Sequence, residues 1–359
     1  MRVGWCGGGQ PVGKTQTRPF QLSFNSSLRV EFQGARVTSD DGLILVRELD
    51  ERLVRSIERV GIGKSKRNPG LHNQGLLDRF SSMLAPEQLD EFRRSGIVRV
   101  PGAISSRAAN AMCDSVWETL ARRYHIRRDD PETWKARKIA GTKDRPKSVT
   151  FEKIANSALR AMFETLLATT AWEPAEHWGS LLVSFPGAFP EARDGWDLPH
   201  QGWHLDAPVV GSLPDLYGVR IFTCLATVSP KGGGTLAVSG SPRLAQQLAV
   251  ARAVGKMRST DVRQALIQRY CWIKELCSFD PAIDRVSRFM KSTTTLGDVN
   301  VRVVELTGDP GNVYLVHPLM MHASSPNCLA TPRMVLSTTV YRRGIDWSVL
   351  YGPEREAAA

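Results

Sequence analysis

The chain has 359 residues, 42% apolar and 23% charged, with a formal net charge of +11, a balance typical of a globular chain long enough for one large or two ordinary domains. No run approaches the roughly 18–20 apolar residues of a membrane span, and the opening Met-Arg-Val-Gly-Trp-Cys lacks the apolar stretch of a secretory signal, so a cytoplasmic location with no membrane partner is expected. The six cysteines are scattered, and the nearest pair, Cys271 and Cys277, is too widely spaced for a zinc clip, which excludes a disulfide framework and leaves reduced thiols.

The first 70 residues hold 12 Lys/Arg against 7 Asp/Glu, so the basic excess is densest at the N-terminus. The rest is only mildly basic, and nucleic acid is not expected as its partner. Gly8-Gly9-Gln10-Pro11-Val12-Gly13-Lys14-Thr15 formally matches a phosphate-binding loop, but no strand can precede it and Arg18-Pro19 stands where a helix is required, so it reads as a chance match. Leu28-Arg29-Val30-Glu31-Phe32 alternates as one strand. Leu43, Leu45, Val46, Leu49, Leu53 and Ile57 predict an amphipathic helix over 41–60, and Gly61–Gly70 reads as a linker. The strings Lys14–Phe20, Phe24–Arg36 and Val37–Asp50 resemble the start of a DDE-type insertion-sequence transposase. That family's acidic catalytic core has no counterpart here, so the resemblance does not imply transposase activity. Residues 1–75 are therefore expected to be an extension outside the core, with Met83-Leu84-Ala85-Pro86-Glu87-Gln88-Leu89 reading as the natural opening of the main body.

Residues 76–345 are expected to form one domain, and 346–359 a tail. Pro86 suits the first turn of a helix reaching about Arg94. Ser105 or Ser106 can cap a second helix with Ala109, Met112, Cys113, Val116, Trp117 and Leu120 as its apolar stripe. A third helix is expected over 151–168 through Phe151, Ile154, Leu159, Met162 and Phe163. Short β-rich runs follow at Leu181–Phe185, Trp203–Ala207, Val219–Val228, Thr235–Val238, Val301–Leu306, Val313–His317 and Met334–Tyr341, with a mostly helical insert at about 241–298. Helices followed by many short strands predict a mainly β chain with a helical buttress, a double-stranded β-helix of the jelly-roll, cupin-like kind.

Within these runs, His204 and Asp206 stand two apart, a spacing that on a strand points both side chains to one face. Alone, the string also fits a surface pair near a turn. A second imidazole, His322, ends the run Val313–Met321, and Arg333 opens the apolar run Met334–Val340. Two His and one carboxylate leave metal positions open and suit non-haem Fe(II). A buried guanidinium is costly unless paired, so Arg333 is expected to meet a carboxylate, either of a dicarboxylate ligand or of a structural Asp or Glu.

Over about 260 residues the chain resembles the phytanoyl-CoA dioxygenase family. The match runs from Leu89–Gly102 through His204-Leu205-Asp206 and Gly233-Gly234-Thr235-Leu236 to His317–Asn327 and Arg333. The resemblance implies an Fe(II)- and 2-oxoglutarate-dependent dioxygenase using O2. His204, Asp206 and His322 would hold the metal, and Arg333, with Ser324 assisting, would hold the distal carboxylate of 2-oxoglutarate. His317 is the competing ligand. Arg333 lies eleven residues beyond His322, and that spacing fits the family pattern only if His322 is used. Related halogenases carry a small residue where Asp206 stands, so a carboxylate there points to hydroxylation or another oxidation. His200 and His204 have the spacing of a helical metal pair, but Pro199 and Gly202 argue against a helix, leaving His200 behind the ligands or facing substrate. Trp196 and Trp203 are candidate pocket residues by position, or ordinary core aromatics. The expected partner is a small organic molecule or acyl thioester. The competing classes are a cupin-like metal-binding protein without oxygenase activity and a DNA-binding transposase remnant.

Overall fold

The computed structural model describes residues 20–22, 25–30, 84–134, 138–140, 149–173, 179–188, 195–213, 216–252 and 255–346. Residues 1–63 with 351–359 form one unit and residues 64–350 another. In the first, β1 (Phe20–Leu22) and β2 (Asn25–Val30) pair antiparallel, and β2 overlaps the strand expected from Leu28. The helix expected over 41–60, the linker, the phosphate-loop-like string and much of the transposase-like match lie outside the described residues.

The second unit opens with α1 (Pro86–Ser95), where Pro86 occupies the first turn and the Ala85 backbone N–H donates to Gln88 Oε1 at 3.0 Å. Gly96, at φ 77°, ends the helix in the left-handed region that favours glycine. After β3 (Ile97–Val100), the Ser105 hydroxyl accepts from Ala108 N at 3.3 Å and starts α2 (Ser106–Tyr124). Past β4 (Lys138–Ala140), the single helix expected over 151–168 is in fact two pieces: a 3-10 stretch, Val149–Ala155, and α3 (Ser157–Leu167). Asn156 divides them. Its Oδ1 caps Leu159 N at 2.9 Å while its Nδ2 donates to Ala103 O at 2.8 Å, so the short amide side chain starts a new helix rather than continuing the old one.

The strands that follow are β5 (Trp172–Glu173), β6 (Ser180–Ser184), β7 (Val209–Val210), β8 (Gly218–Cys224) and β9 (Thr235–Ser239). The insert contributes α4 (Ser241–Arg252), β10 (Lys256–Met257), α5 (Ser259–Arg269) and α6 (Cys271–Leu276). The chain then runs through β11 (Thr294–Leu296), β12 (Val299–Leu306), β13 (Val313–Val316), β14 (His322–Ser324) and β15 (Arg333–Arg342).

Two main antiparallel sheets result, one ordered β3-β13-β8-β15-β6-β4 with β5 also paired to β15, and the other β11-β12-β9-β14, while β7 and β10 form a separate two-stranded ribbon. From β12 to β15 successive strands alternate between the sheets, and β8 and β9 are likewise divided. This alternation builds the double-stranded β-helix. In the larger sheet, Val98, Leu181, Val183, Val219, Ile221, Leu315 and Leu336 pack against Met112, Val116, Leu120, Leu159 and Phe163 of the helices. Its opposite face turns Phe222, Cys224, Tyr314, Val316 and Val335 toward Ala237 and Leu306 of the smaller sheet. With both faces covered, β13 is buried at every position. Each fully buried large apolar side chain in these layers contributes about 1.5–3 kcal/mol.

Candidate metal centre

The run expected as a strand at Trp203–Ala207 is a single β-bridge at His204 followed by a bend at Asp206–Ala207. Pro208 and the turns on either side limit the pairing. Within the bridge, His204 N donates to His322 O at 3.0 Å and His322 N to His204 O at 2.9 Å. His322 starts β14, and its register opposite Ala237 gives it the interior-facing parity. The bridge sets the two imidazoles side by side, ring centroids 4.2 Å apart.

Backbone carbonyls orient both rings. His204 Nδ1 lies 2.8 Å from Gly202 O, and His322 Nδ1 lies 3.0 Å from Met320 O. A carbonyl only accepts, so each Nδ1 donates, and each neutral ring keeps its lone pair on Nε2. Those nitrogens face Asp206: His204 Nε2 is 3.7 Å from Oδ1, and His322 Nε2 is 3.3 Å from Oδ2. One ligand atom from each of the three residues lies within 4.8 Å of the others, the one such cluster among the described residues. Two oriented lone pairs and a carboxylate fit a metal ion, and the carbonyl bonds are the outer contacts that hold metal-binding imidazoles in place.

The local electrostatics suit this donor set. Burial raises the Asp206 carboxyl's pKa, but the Arg220 guanidinium, then the two imidazoles, outweigh it and hold the group well below the usual range. Arg220 Nη1 sits 2.6 Å from Asp206 Oδ2. Burial is also the main cause pushing His322 down, from an ordinary 6.5 to about 4, so this ring is neutral near pH 7, as a ligand must be.

Arg333, 4% exposed, opens β15 on the interior face. Its Nη2 donates to Thr235 Oγ1 at 2.6 Å, and its Nε has no partner. Among the described residues no carboxylate reaches ion-pair distance of it. Glu305, the nearby candidate, instead accepts from Lys231 N at 3.0 Å and Gly234 N at 3.1 Å. Among the described residues, then, no structural Asp or Glu pairs with the guanidinium, Glu305 acts on it only through its charge, and its free donors suit a ligand. Burial lowers its pKa to about 10, so it stays charged at neutral pH. Ser324 stands opposite Thr235 across the β14–β9 pair, which puts it beside the residue that orients Arg333.

The spacing between His322 and Arg333 also has a structural reason. The intervening loop leaves the smaller sheet and enters the larger, so both residues line one interior. Asn327 pins it, donating to Ser184 O at 2.9 Å and Thr331 O at 2.8 Å. The glycine string before Thr235 serves the same end. A Cβ on Gly234 would stand 2.6 Å from Glu305 Cγ, and only glycine allows that approach.

The remaining expected residues lie outside the three-residue donor set. His317 is buried 6.4 Å from the Phe92 ring, and its Nδ1 accepts from Leu319 N at 3.1 Å; it is not in the metal cluster. His200 packs on Phe279, centroids 5.3 Å apart. Trp203 is 1% exposed and donates its indole N–H to Pro199 O at 2.8 Å. Trp196 is half-buried, and its buried indole nitrogen has no partner.

Several supporting residues were not anticipated. Arg263 donates to Trp203 O at 2.7 Å, and Arg285 donates to Leu198 O at 2.9 Å and Pro199 O at 3.0 Å. The insert thus clamps the segment leading into His204, while β10 pairs with β7 just beyond Asp206. Arg220 and Thr235 were missed as well. An arginine inside the apolar run Gly218–Cys224 was a usable signal, the same one that marked Arg333.

Comparison with known proteins adds the following. No curated protein matches the chain. Among solved structures, the chain is similar to the non-heme alpha ketoglutarate dependent epimerase SnoN from nogalamycin biosynthesis, at 15% identity and TM-score 0.41, covering 73% of this chain and 86% of that one. It is similar to EvdO2 from Micromonospora carbonacea var. aurantiaca, at 16% identity and TM-score 0.39, covering 72% and 90%. It is also similar to HygX from Streptomyces hygroscopicus, solved with nickel and 2-oxoglutarate bound, at 14% identity and TM-score 0.43, covering 73% and 88%. The family model for phytanoyl-CoA dioxygenase matches residues 92–335, more than half of the length and all of the cluster described above, and the chain belongs to the phytanoyl-CoA dioxygenase family.

Proposed function

We propose that this protein is an Fe(II)- and 2-oxoglutarate-dependent oxygenase that hydroxylates a small organic molecule or an acyl thioester. The observation that carries the reading is the meeting of two oriented Nε2 lone pairs with the Asp206 carboxylate, in one interior with a buried Arg333 that forms no ion pair with a carboxylate of the described residues. In this reading His204, Asp206 and His322 hold the metal, and their number leaves positions open for the co-substrate and O2. When bound, iron and 2-oxoglutarate supply the oxidising chemistry: O2 is consumed, 2-oxoglutarate is decarboxylated to succinate and CO2, and a substrate C–H bond is oxidised.

The chain's own contribution is binding and exclusion of water. Arg333, turned by the Thr235 hydroxyl, takes the distal carboxylate of 2-oxoglutarate as a charge-assisted partner, with Ser324 alongside. Phe222, Val316 and Val335 give the interior apolar walls, which strengthen charge interactions within it. Asp206 occupies the metal position that a halogenase would leave to chloride, and this supports hydroxylation over halogenation. Trp196 and His200 belong to the segment leading into His204 and are proposed to shape the substrate side, whereas Trp203, 1% exposed, supports that segment as a core aromatic.

The test is an anaerobic reconstitution of the apo-protein followed by exposure to O2. The expected result is succinate formation that requires both Fe(II) and 2-oxoglutarate, with a small basal rate raised by a true substrate. Zinc retained through purification, with no succinate under any condition, would support the cupin-like metal-binding alternative instead.

A further inference from the structure

Arg220 lies in the middle of β8, on the interior face it shares with Phe222 and Cys224. Isolated cations are costly in such a place, and this one meets a single carboxylate among the described residues, Asp206 Oδ2 at 2.6 Å. Its guanidinium carbon stands 5.3 Å from the Phe222 ring, which in turn meets the His322 ring edge-on at 6.3 Å. Its Nε is buried without a partner. The guanidinium is thus fixed against one ligand and, through Phe222, beside another.

We propose that Arg220 is a positioning residue that occupies one oxygen of Asp206 and so makes this carboxylate a single-oxygen metal ligand. A carboxylate can bind a cation through one oxygen or two. Two-oxygen binding would consume a position that a bidentate co-substrate or O2 needs. A guanidinium on Oδ2 disfavours that mode in two ways: it holds the oxygen's lone pairs, and its charge opposes the approach of a second cation to the same atom. The second effect gives the inference a sign. A residue that merely supported the fold would weaken metal binding when removed, whereas removal of a cation touching the ligand strengthens it.

The experiment titrates Co(II) into the full-length metal-free protein, then 2-oxoglutarate into the Co(II)-loaded form, for wild type, Arg220→Lys and Arg220→Met, with thermal melting in parallel. Arg220→Met is expected to bind Co(II) about tenfold more tightly, because the charge that opposes a second cation at Asp206 is gone, and 2-oxoglutarate about tenfold more weakly, each a change of about 1.4 kcal/mol. Arg220→Lys, which keeps a cation on Oδ2, stays near wild type in both. Should Arg220→Met fail to fold, Arg220→Gln carries the same two expectations. Weaker Co(II) binding, or unchanged 2-oxoglutarate binding, in a folded neutral variant overturns the inference. The inference rests on the metal site proposed above: a wild type that binds no Co(II) overturns both, and a Co(II)-binding wild type with unaltered Arg220 variants overturns this one alone.

Discussion

His317 and His322 are five residues apart and both buried, yet their surroundings give them different work. His322 offers Nε2 to Asp206 because Met320 O holds its Nδ1, whereas His317 turns its Nδ1 to Leu319 N and stacks near Phe92. Replacing His322 with Ala is expected to weaken Fe(II) or Co(II) binding by about a hundredfold or more, while His317→Ala leaves metal affinity within about twofold and lowers the melting temperature. A metal titration of the two variants decides it; equal losses would count against the assignment. At Arg333 the expectation concerns the co-substrate. Arg333→Gln removes a charge-assisted bond of about 1.5–3 kcal/mol and should raise the KM for 2-oxoglutarate by roughly tenfold to a hundredfold. Arg333→Lys is not expected to restore it, since an ammonium lacks the fork that meets Thr235 and a carboxylate together. Initial rates at varied 2-oxoglutarate provide the measurement.

At the scale of elements, the insert that follows β9 holds the segment leading into His204 through its arginines. Arg285, 4% exposed, donates to the carbonyls of Leu198, Pro199, Leu276 and Ser278. Arg285→Met would leave these carbonyls without their donor in a buried place, at about 1–3 kcal/mol for each group that water cannot reach. Urea denaturation should show this loss, and because two of the carbonyls precede His204, metal affinity should fall with it. Full metal affinity in a destabilised variant would show that the insert supports the fold alone. Gly234 is a tighter case: Gly234→Ala forces Glu305 aside, moves the strand carrying Thr235, and is expected to cost about 1–3 kcal/mol together with weaker 2-oxoglutarate binding.

For the whole molecule, the metal-free protein is expected to lose stability in mild acid. The His322 pKa is lowered by burial from 6.5 to about 4, so between those values the unfolded chain binds a proton that the folded chain refuses. Stability is full above 6.5, declines through this window, and levels off below about 4. Asp206, its carboxyl held low against burial by Arg220 and the imidazoles, acts in the same direction at lower pH, where its protonation removes the ion pair. Denaturation curves across this range should show the slope, and His322→Gln should flatten its upper part. A flat profile in the wild type would mean that the ring is not sealed as described.

The sequence by itself determined the chemistry on offer and much of the local architecture. The short β-rich runs mark most of the central strands, Pro86 and Ser105 mark helix starts, and the residue types His204, Asp206, His322 and Arg333 mark a donor set with a separate cation. These were legible because alternation, capping and residue chemistry act over a few neighbours. The division of the 151–168 helix at Asn156 was legible in principle from its capping chemistry, but the apolar stripe masked it. Only the tertiary structure decided that His204 sits in one β-bridge with His322 rather than in a strand, that Thr235 turns Arg333, and that Arg220 meets Asp206. Each of these depends on which strand lies beside or across from which. Sheet order and register are set by the packing of two whole layers, and no short stretch of sequence carries that information.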